Sequence, residues 1–342
     1  MYQDWNENAM LEENCLSDVV GLGNAIVDVV AETSDALLEK LDLAKGTMTL
    51  VDEARITDLY AAMGPAIEVS GGSAANTMAA LAGLGAKAGY IGKVRDDQLG
   101  EVFGHDIQAV GVTFDTAPLK NGPATARCLV FVTPDAQRTM ATYLGACVEL
   151  TPDDVDEAVI KGGKVTYMEG YLWDRPKAKD AFLKAARIAH ESGRQVALSL
   201  SDPFCVDRWR DEFLDLIDGH VDVVIANEAE ITSLYQTDDF EKAADEVAKH
   251  CRHAALTCGP EGSVIVTPEA RHVIPAAPVG KVVDTTGAGD LYAAGLLYGL
   301  THDMPLPEAG RLAGLVAAEV LTRYGARIEH PLTPLIDQAK AA

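Results

Sequence analysis

Between residues 164 and 266 the chain alternates short β-branched apolar runs with longer amphipathic stretches: KVTYMEG, KAKDAFLKAARIAHES, QVALSLSD, VDVVIANEAE and HAALTCGPEGSVIV. Apolar runs of this length read as buried strands, and apolar residues at helical spacing between them read as crossovers. Strand, helix, strand in that order builds a parallel sheet. The expected class is therefore α/β, with a doubly wound, mostly parallel sheet flanked by helices and ligands at the carboxyl ends of its strands.

The rest of the chain fits around that unit. GGSAANTMAALAGLGAKAGYIGKV reads as a Gly-Gly-Ser turn, a small-residue helix from about Ala74 to Leu84, and a strand through Tyr90 and Ile91. DVVGLGNAIVDVVAE reads as two strands, or a strand and a loop, with Asp28 at an edge. TARCLVFVT and RTMATYL flank PDAQ as an antiparallel hairpin, so the segments about 36–51 and 112–145 are expected to form a small β-sheet lid. DLYAAGLLYGL and EAGRLAGLVAAEVLTRYG close the chain as helices. Residues 1–17 are expected to be a polar extension, and 18–335 one α/β domain.

Charge limits the partners. With 28 basic and 52 acidic side chains the formal charge is -24, which disfavours nonspecific nucleic-acid or anionic-membrane surfaces. A bound phosphate must then be held by backbone amides or a metal ion. The six cysteines show no CxxC pair and no zinc spacing, and no run of about 18 apolar residues could cross a bilayer. The N-terminus lacks the apolar core of a secretory signal. A cytoplasmic protein acting on small molecules is the expectation.

DTTGAGD, residues 284–290, is the stretch with the clearest chemistry. Small residues opening an apolar helix let an anion approach unpaired amides at the positive end of the helix dipole. A Gly-rich turn before a core helix is the bland alternative. Two common nucleotide patterns are absent: Lys87 and Val94 break a P-loop around Gly92 and Lys93, and Ile26 breaks GxGxxG after Gly21 and Gly23.

Four stretches stand in the order found in the ribokinase (PfkB) family of sugar and nucleoside kinases, which this chain resembles from about Asp18 to Arg327. They are GNAIVD (23–28), GGSAAN (71–76), NEAE (227–230) and DTTGAGD. The resemblance implies a ribokinase-like fold with a β lid and an ATP-dependent kinase. Asp290 would be its base, and the amides of Gly287, Ala288 and Gly289 would hold charge on the transferring phosphoryl group. Asn24, Asp28, Gly71, Gly72 and Asn76 would lie on the substrate side, with Asp28 suited to two neighbouring hydroxyls. Asn227 and Glu230 would face phosphate and Mg2+, the latter through water. Thr257, Gly259 and Gly262 match a loop beside ATP, and Arg138 on the lid would reach phosphate. K+ near Asp284, Thr286 and Gly325 is a further candidate cofactor.

Within the family, QRTMATYLGA, EGYLW and SLSDPF are similar to adenosine kinases. They place Met140, Leu144, Tyr171 and Phe204 against a purine. Thr286 and Ala75 depart from that branch, where asparagine and glutamine are frequent. A purine nucleoside, most readily adenosine, is the expected phosphoryl acceptor. A sugar kinase acting on ribose, fructose or 2-keto-3-deoxygluconate, and a silent ligand-binding protein on the same fold, are the alternatives. Both monomer and homodimer are compatible with such a lid.

Overall fold

The structure, a computed structural model, describes residues 15–135 and 137–341. Of the expected extension, residues 1–14 lie outside the described residues, and Ser17 already begins a strand. The main sheet runs in the order Arg271–Ile274, Ser263–Val266, His253–Thr257, Val223–Asn227, Gln195–Ser199, Gly163–Glu169, Ser17–Leu22, Ala88–Ile91 and Val112–Phe114. The seven strands from His253–Thr257 to Val112–Phe114 are parallel, and the remaining two continue antiparallel.

Period-two alternation divides this sheet between two cores. Val19, Tyr167, Ala197, Ile225 and Ala255 face one side, against the helices Ser73–Gly83, Ala288–Thr301 and Leu306–Leu321. Their chain neighbours Val20, Met168, Leu198, Val224 and Leu256 face the other side, against Pro176–Glu191 and Pro203–His220. In Pro176–Glu191 the buried residues Ala178, Ala181, Phe182, Ala185 and Ala189 recur at helical spacing, and Pro176 starts the helix where a missing N–H costs nothing. Burying each large apolar side chain contributes about 1.5–3 kcal/mol, so both faces must be covered.

A second sheet of five strands forms the lid, in the order Met48–Leu50, Arg138–Tyr143, Ala126–Val132, Ile26–Glu32 and Ile67–Gly71. This corrects the expected lid segments. Strands Ile26–Glu32 and Ile67–Gly71 belong to it although they lie outside 36–51 and 112–145, while Val112–Phe114 pairs with Ala88–Ile91 in the main sheet. The reason is topological. An alternating run shows that a strand forms but not which sheet takes it, and Gly23-Asn24-Ala25 redirects the chain from the main sheet into the lid.

The lid has two unlike faces. Val27, Val29, Leu129, Phe131 and Ala141 are buried with Leu38, Ile56 and Leu59 of the lid's own helices. On the opposite face the register aligns Met48, Met140, Val130, Val30 and Ile67 in one row across all five strands. Beside it runs a second row: Leu50, Thr142, Cys128, Asp28 and Val69. Met48 is 51% and Ile67 69% exposed, so the apolar row is incompletely covered.

Candidate active site

Two cavities meet where the helix Ala288–Thr301 begins, at the carboxyl ends of the central strands. One, of about 420 Å3, is lined by Ser73, Tyr171, Asn227, Glu230, Thr286 and Asp290 among others. The other, of about 590 Å3, is lined largely by apolar groups such as Ile274, Val279, Ala317 and Leu321, with Gly259 and Gly262 at its edge. Thr257, Thr285, Gly289 and Tyr292 line both, so the cavities join over the helix start.

The backbone there is specialised. Gly287 caps the helix with φ +80°, in the left-handed region, and a Cβ on it would lie 2.5 Å from Ala326 Cβ. Only glycine fits that position without strain. The Ala288 amide donates to the Thr285 carbonyl at 3.2 Å. The open donors expected of Gly287, Ala288 and Gly289 are therefore those of the two glycines, and nothing crowds the position of a Cβ at Gly289.

Asp290 lies one turn inside. Its Oδ1 accepts from Ser73 Oγ at 2.6 Å and its Oδ2 from Asn76 Nδ2 at 3.0 Å. Burial raises its carboxyl above the ordinary range, opposed by those two hydrogen bonds and by the Arg327 guanidinium. The carboxylate is enclosed yet lines the cavity, a geometry for receiving a proton from a bound hydroxyl.

On the lid side, Asp28 lies directly against Gly71: a Cβ there would be 2.4 Å from Asp28 Oδ2. Burial pushes Asp28 up to about 6; Arg327 and Arg138 oppose the shift and Asp290 adds to it. Gly72, at φ +95°, sits under the Asn24 carbonyl, which a Cβ would meet at 2.1 Å. Asn24 gives its Nδ2 to Glu169 at 2.6 Å and Asn76 gives its Nδ2 to Asp290. Those donations fix both amide orientations. Asn24 Oδ1 and Asn76 Oδ1 are left buried without a partner. Unpaired buried acceptors are costly and call for donors.

Arg138 reaches across from the lid, with Nε 3.1 Å from Asp284 Oδ2 and both side chains largely buried. Asp284 also accepts from Thr286 and from the Gly325 amide. Burial would raise Asp284, but the hydrogen bonds from Gly325 and Thr286, with the charge of Arg138, hold it below the usual range. Asn227 and Glu230 form a reciprocal helix cap. Each Glu230 oxygen accepts one hydrogen bond there, and burial pushes the carboxyl up to about 7.

Three predicted base contacts stand apart from both cavities. Phe204 is 67% exposed, with the Arg208 guanidinium 4.4 Å from its ring. Met140 lies in the apolar lid row, and Leu144 precedes the short helix Gly145–Glu149. Tyr171 lines the smaller cavity, its amide and hydroxyl both bonded to Ser201.

Sequence reasoning missed Ser73, Glu169 and Arg327. Ser73 lies inside GGSAAN and was visible there. Glu169, like Asp28, is an acid in an apolar run; Asp28 falls inside the lid strand Ile26–Glu32 and not at the expected edge, whereas Glu169 closes its strand. It is 1% exposed, and burial pushes it up to about 7 despite three hydrogen bonds. Arg327 has no local signal. Its guanidinium is tied to Ser70 and to the Ala75 carbonyl, contacts made only by the fold.

Comparison with known proteins agrees with this architecture. Residues 66–332 match the description "pfkB family carbohydrate kinase". A solved adenosine kinase from Sinorhizobium meliloti is 52% identical, with a TM-score of 0.87 over 94% of this chain and 99% of that one. A probable sugar kinase from Rhizobium etli is 50% identical, with a TM-score of 0.88 over 95% and 99%. The adenosine kinase of Saccharomyces cerevisiae is 30% identical over 90% of this chain and 95% of its own length.

Proposed function

The chain belongs to the pfkB family of carbohydrate kinases and is an ATP-dependent kinase, and from that premise we propose that it phosphorylates the 5'-hydroxyl of a purine nucleoside, adenosine in the first instance. The observation that carries the choice of acceptor is the pairing of two rows on the inner face of the lid. Asp28 lies in one, against the Gly71-Gly72 turn that also touches Asn24. The apolar row Met48, Met140, Val130, Val30 and Ile67 lies two residues further along the strands, about 7 Å away at strand spacing. A nucleoside has that layout: hydroxyls at one end and a flat apolar base at the other. A free sugar would leave the apolar row uncovered. The two relatives named adenosine kinases support the same reading.

In this account Asp28, Asn24 and Asn76 accept from the ribose hydroxyls, and Tyr171 closes the base side from the main domain. The 5'-hydroxyl donates to Asp290, which takes the proton as the acceptor oxygen bonds to the γ-phosphorus and the bond to ADP breaks. The Gly287 and Gly289 amides hold charge on the transferring group. The larger, apolar cavity suits the adenine and ribose of ATP, with its phosphates directed over Thr257 and Gly289. Mg2+ would neutralise phosphate charge there, and Asn227 with Glu230 would face it. Lid closure excludes water as a competing acceptor.

The direct test is product identity. Adenosine with Mg2+-ATP should yield the 5'-monophosphate by phosphorus NMR, and 5'-deoxyadenosine should yield nothing. Phosphorylation of 5'-deoxyadenosine would place the reaction at another hydroxyl.

Asp28 also sets a pH dependence. Its carboxylate form is the stronger hydroxyl acceptor, so kcat/KM for the acceptor should rise as pH climbs through about 6. Asp28→Asn should lose that limb and fall about 10- to 100-fold at pH 7.5, the worth of a hydrogen bond to a charged group. A variant that keeps the limb would assign it to another acid.

A further inference from the structure

The chain passes between main sheet and lid at Gly23-Asn24-Ala25, after the strand Ser17–Leu22, and again at Gly71-Gly72, between the strand Ile67–Gly71 and the helix Ser73–Gly83. The two crossings touch, since a Cβ on Gly72 would lie 2.1 Å from the Asn24 carbonyl oxygen. One side chain from the main sheet fastens both. Glu169, closing the strand Gly163–Glu169, accepts on Oε1 from the Asn24 amide at 2.8 Å and from Asn24 Nδ2 at 2.6 Å. Its Oε2 accepts from the Ala74 amide at 2.7 Å. The fit is close: a Cβ on Gly23 would lie 2.4 Å from Glu169 Oε2.

We propose that Glu169 is a positioning residue that pins two of the four chain crossings between main sheet and lid and rotates the Asn24 amide so that its carbonyl faces the phosphoryl acceptor. This rests on the function proposed above. Glu169 is 1% exposed, lines neither cavity, and accepts all three of its hydrogen bonds from the two crossings. It therefore acts through Asn24 and through the helix Ser73–Gly83. That helix carries Ser73 and Asn76, which hold Asp290. The pin thus couples lid orientation on one side to placement of the base on the other.

All three partners are donors, so the site requires an acceptor-only group. Glu169→Gln replaces one oxygen with an amide that meets another N–H, and should release at least one crossing. Two readouts separate this proposal from the assignment of function. The first needs no substrate: in Glu169→Gln, amide exchange at Asn24 and Ala74 should quicken together about tenfold or more, while the strand Gln195–Ser199 keeps its protection. The second is kinetic, with adenosine and Mg2+-ATP. KM for adenosine should rise about tenfold, the scale of one hydrogen bond, with KM for ATP within about twofold. Glu169→Asp, which keeps the carboxylate on a shorter arm, should fall between wild type and Gln, and it also serves if the Gln variant folds poorly. The double variant Glu169→Gln/Asn24→Ala should lose less than the sum of the two single losses, since the Asn24 arm is shared while the Ala74 arm is not. Unchanged exchange at the crossings, or additive losses in the double variant, would overturn the pin. Inactivity of the wild type on adenosine would overturn the function while leaving the exchange test decisive for the pin.

Discussion

Asp290→Asn should lower the rate of ADP release in the presence of a phosphoryl acceptor by about 10²–10⁴-fold, the range for loss of a positioned general base. The fold should tolerate it. Asparagine keeps an oxygen for Ser73 Oγ, and Asn76 can turn its own carbonyl toward the new amide. The direction of the pKa gives a second expectation. Burial raises Asp290 in the folded chain, so the folded state binds more protons than the unfolded one, and stability falls as pH rises through the folded value. At neutral pH the buried charge is therefore a cost, and the neutral variant should melt at the same temperature or higher. Steady-state kinetics beside a thermal melt check both. Retained turnover would remove Asp290 from the chemistry, whereas lost turnover with a collapsed melt would show a structural role.

Gly287→Ala is the second large effect. The position combines φ +80° with a Cβ direction that ends 2.5 Å from Ala326 Cβ and 2.9 Å from Ala326 Cα. The left-handed conformation alone costs a β-carbon about 1–2 kcal/mol, and the backbone contact cannot be relieved by a rotamer change. The loop must shift, and the Gly287 amide shifts with it. Turnover should fall about 10²–10³-fold, as on removal of one donor to a developing oxyanion, and stability should drop by about 1–3 kcal/mol. Gly289→Ala is the internal control, because nothing lies within 4 Å of a Cβ there. It should keep its stability and show its effect in KM for ATP, since Gly289 lines both cavities. Equal destabilisation by the two substitutions would contradict this account of the cradle.

Much of the main sheet was legible because its strands are buried on both faces and separated by helices of ordinary period, as in KVTYMEG and QVALSLSD. The lid was legible at its hairpin and at Met48–Leu50, inside the expected segment 36–51. Ile26–Glu32 and Ile67–Gly71 have the alternation of any half-buried strand, and sheet membership is decided by partners more than thirty residues away. The site divides in the same way. Asp290, Asp28 and Asn76 sit inside short patterns whose chemistry is local: a helix start, an acid in an apolar run, a Gly-Gly turn. Arg327 binds Ser70 and Ala75 from 257 and 252 positions away. No local rule marks it. Glu169 lies between these cases, since its acid stands out in the sequence but its role as a clasp depends on two chain crossings meeting.

The account turns on an acceptor with hydroxyls at one end and a flat apolar base at the other. The measurement that tests this most directly is kcat/KM for adenosine against kcat/KM for ribose in one Mg2+-ATP assay. Contact of a base with an aromatic face is worth about 1–3 kcal/mol, so Tyr171 with the apolar lid row should favour adenosine by about 100-fold. Ribose turned over as well as adenosine, or better, would contradict the nucleoside reading and leave a sugar kinase built on the same base and cradle.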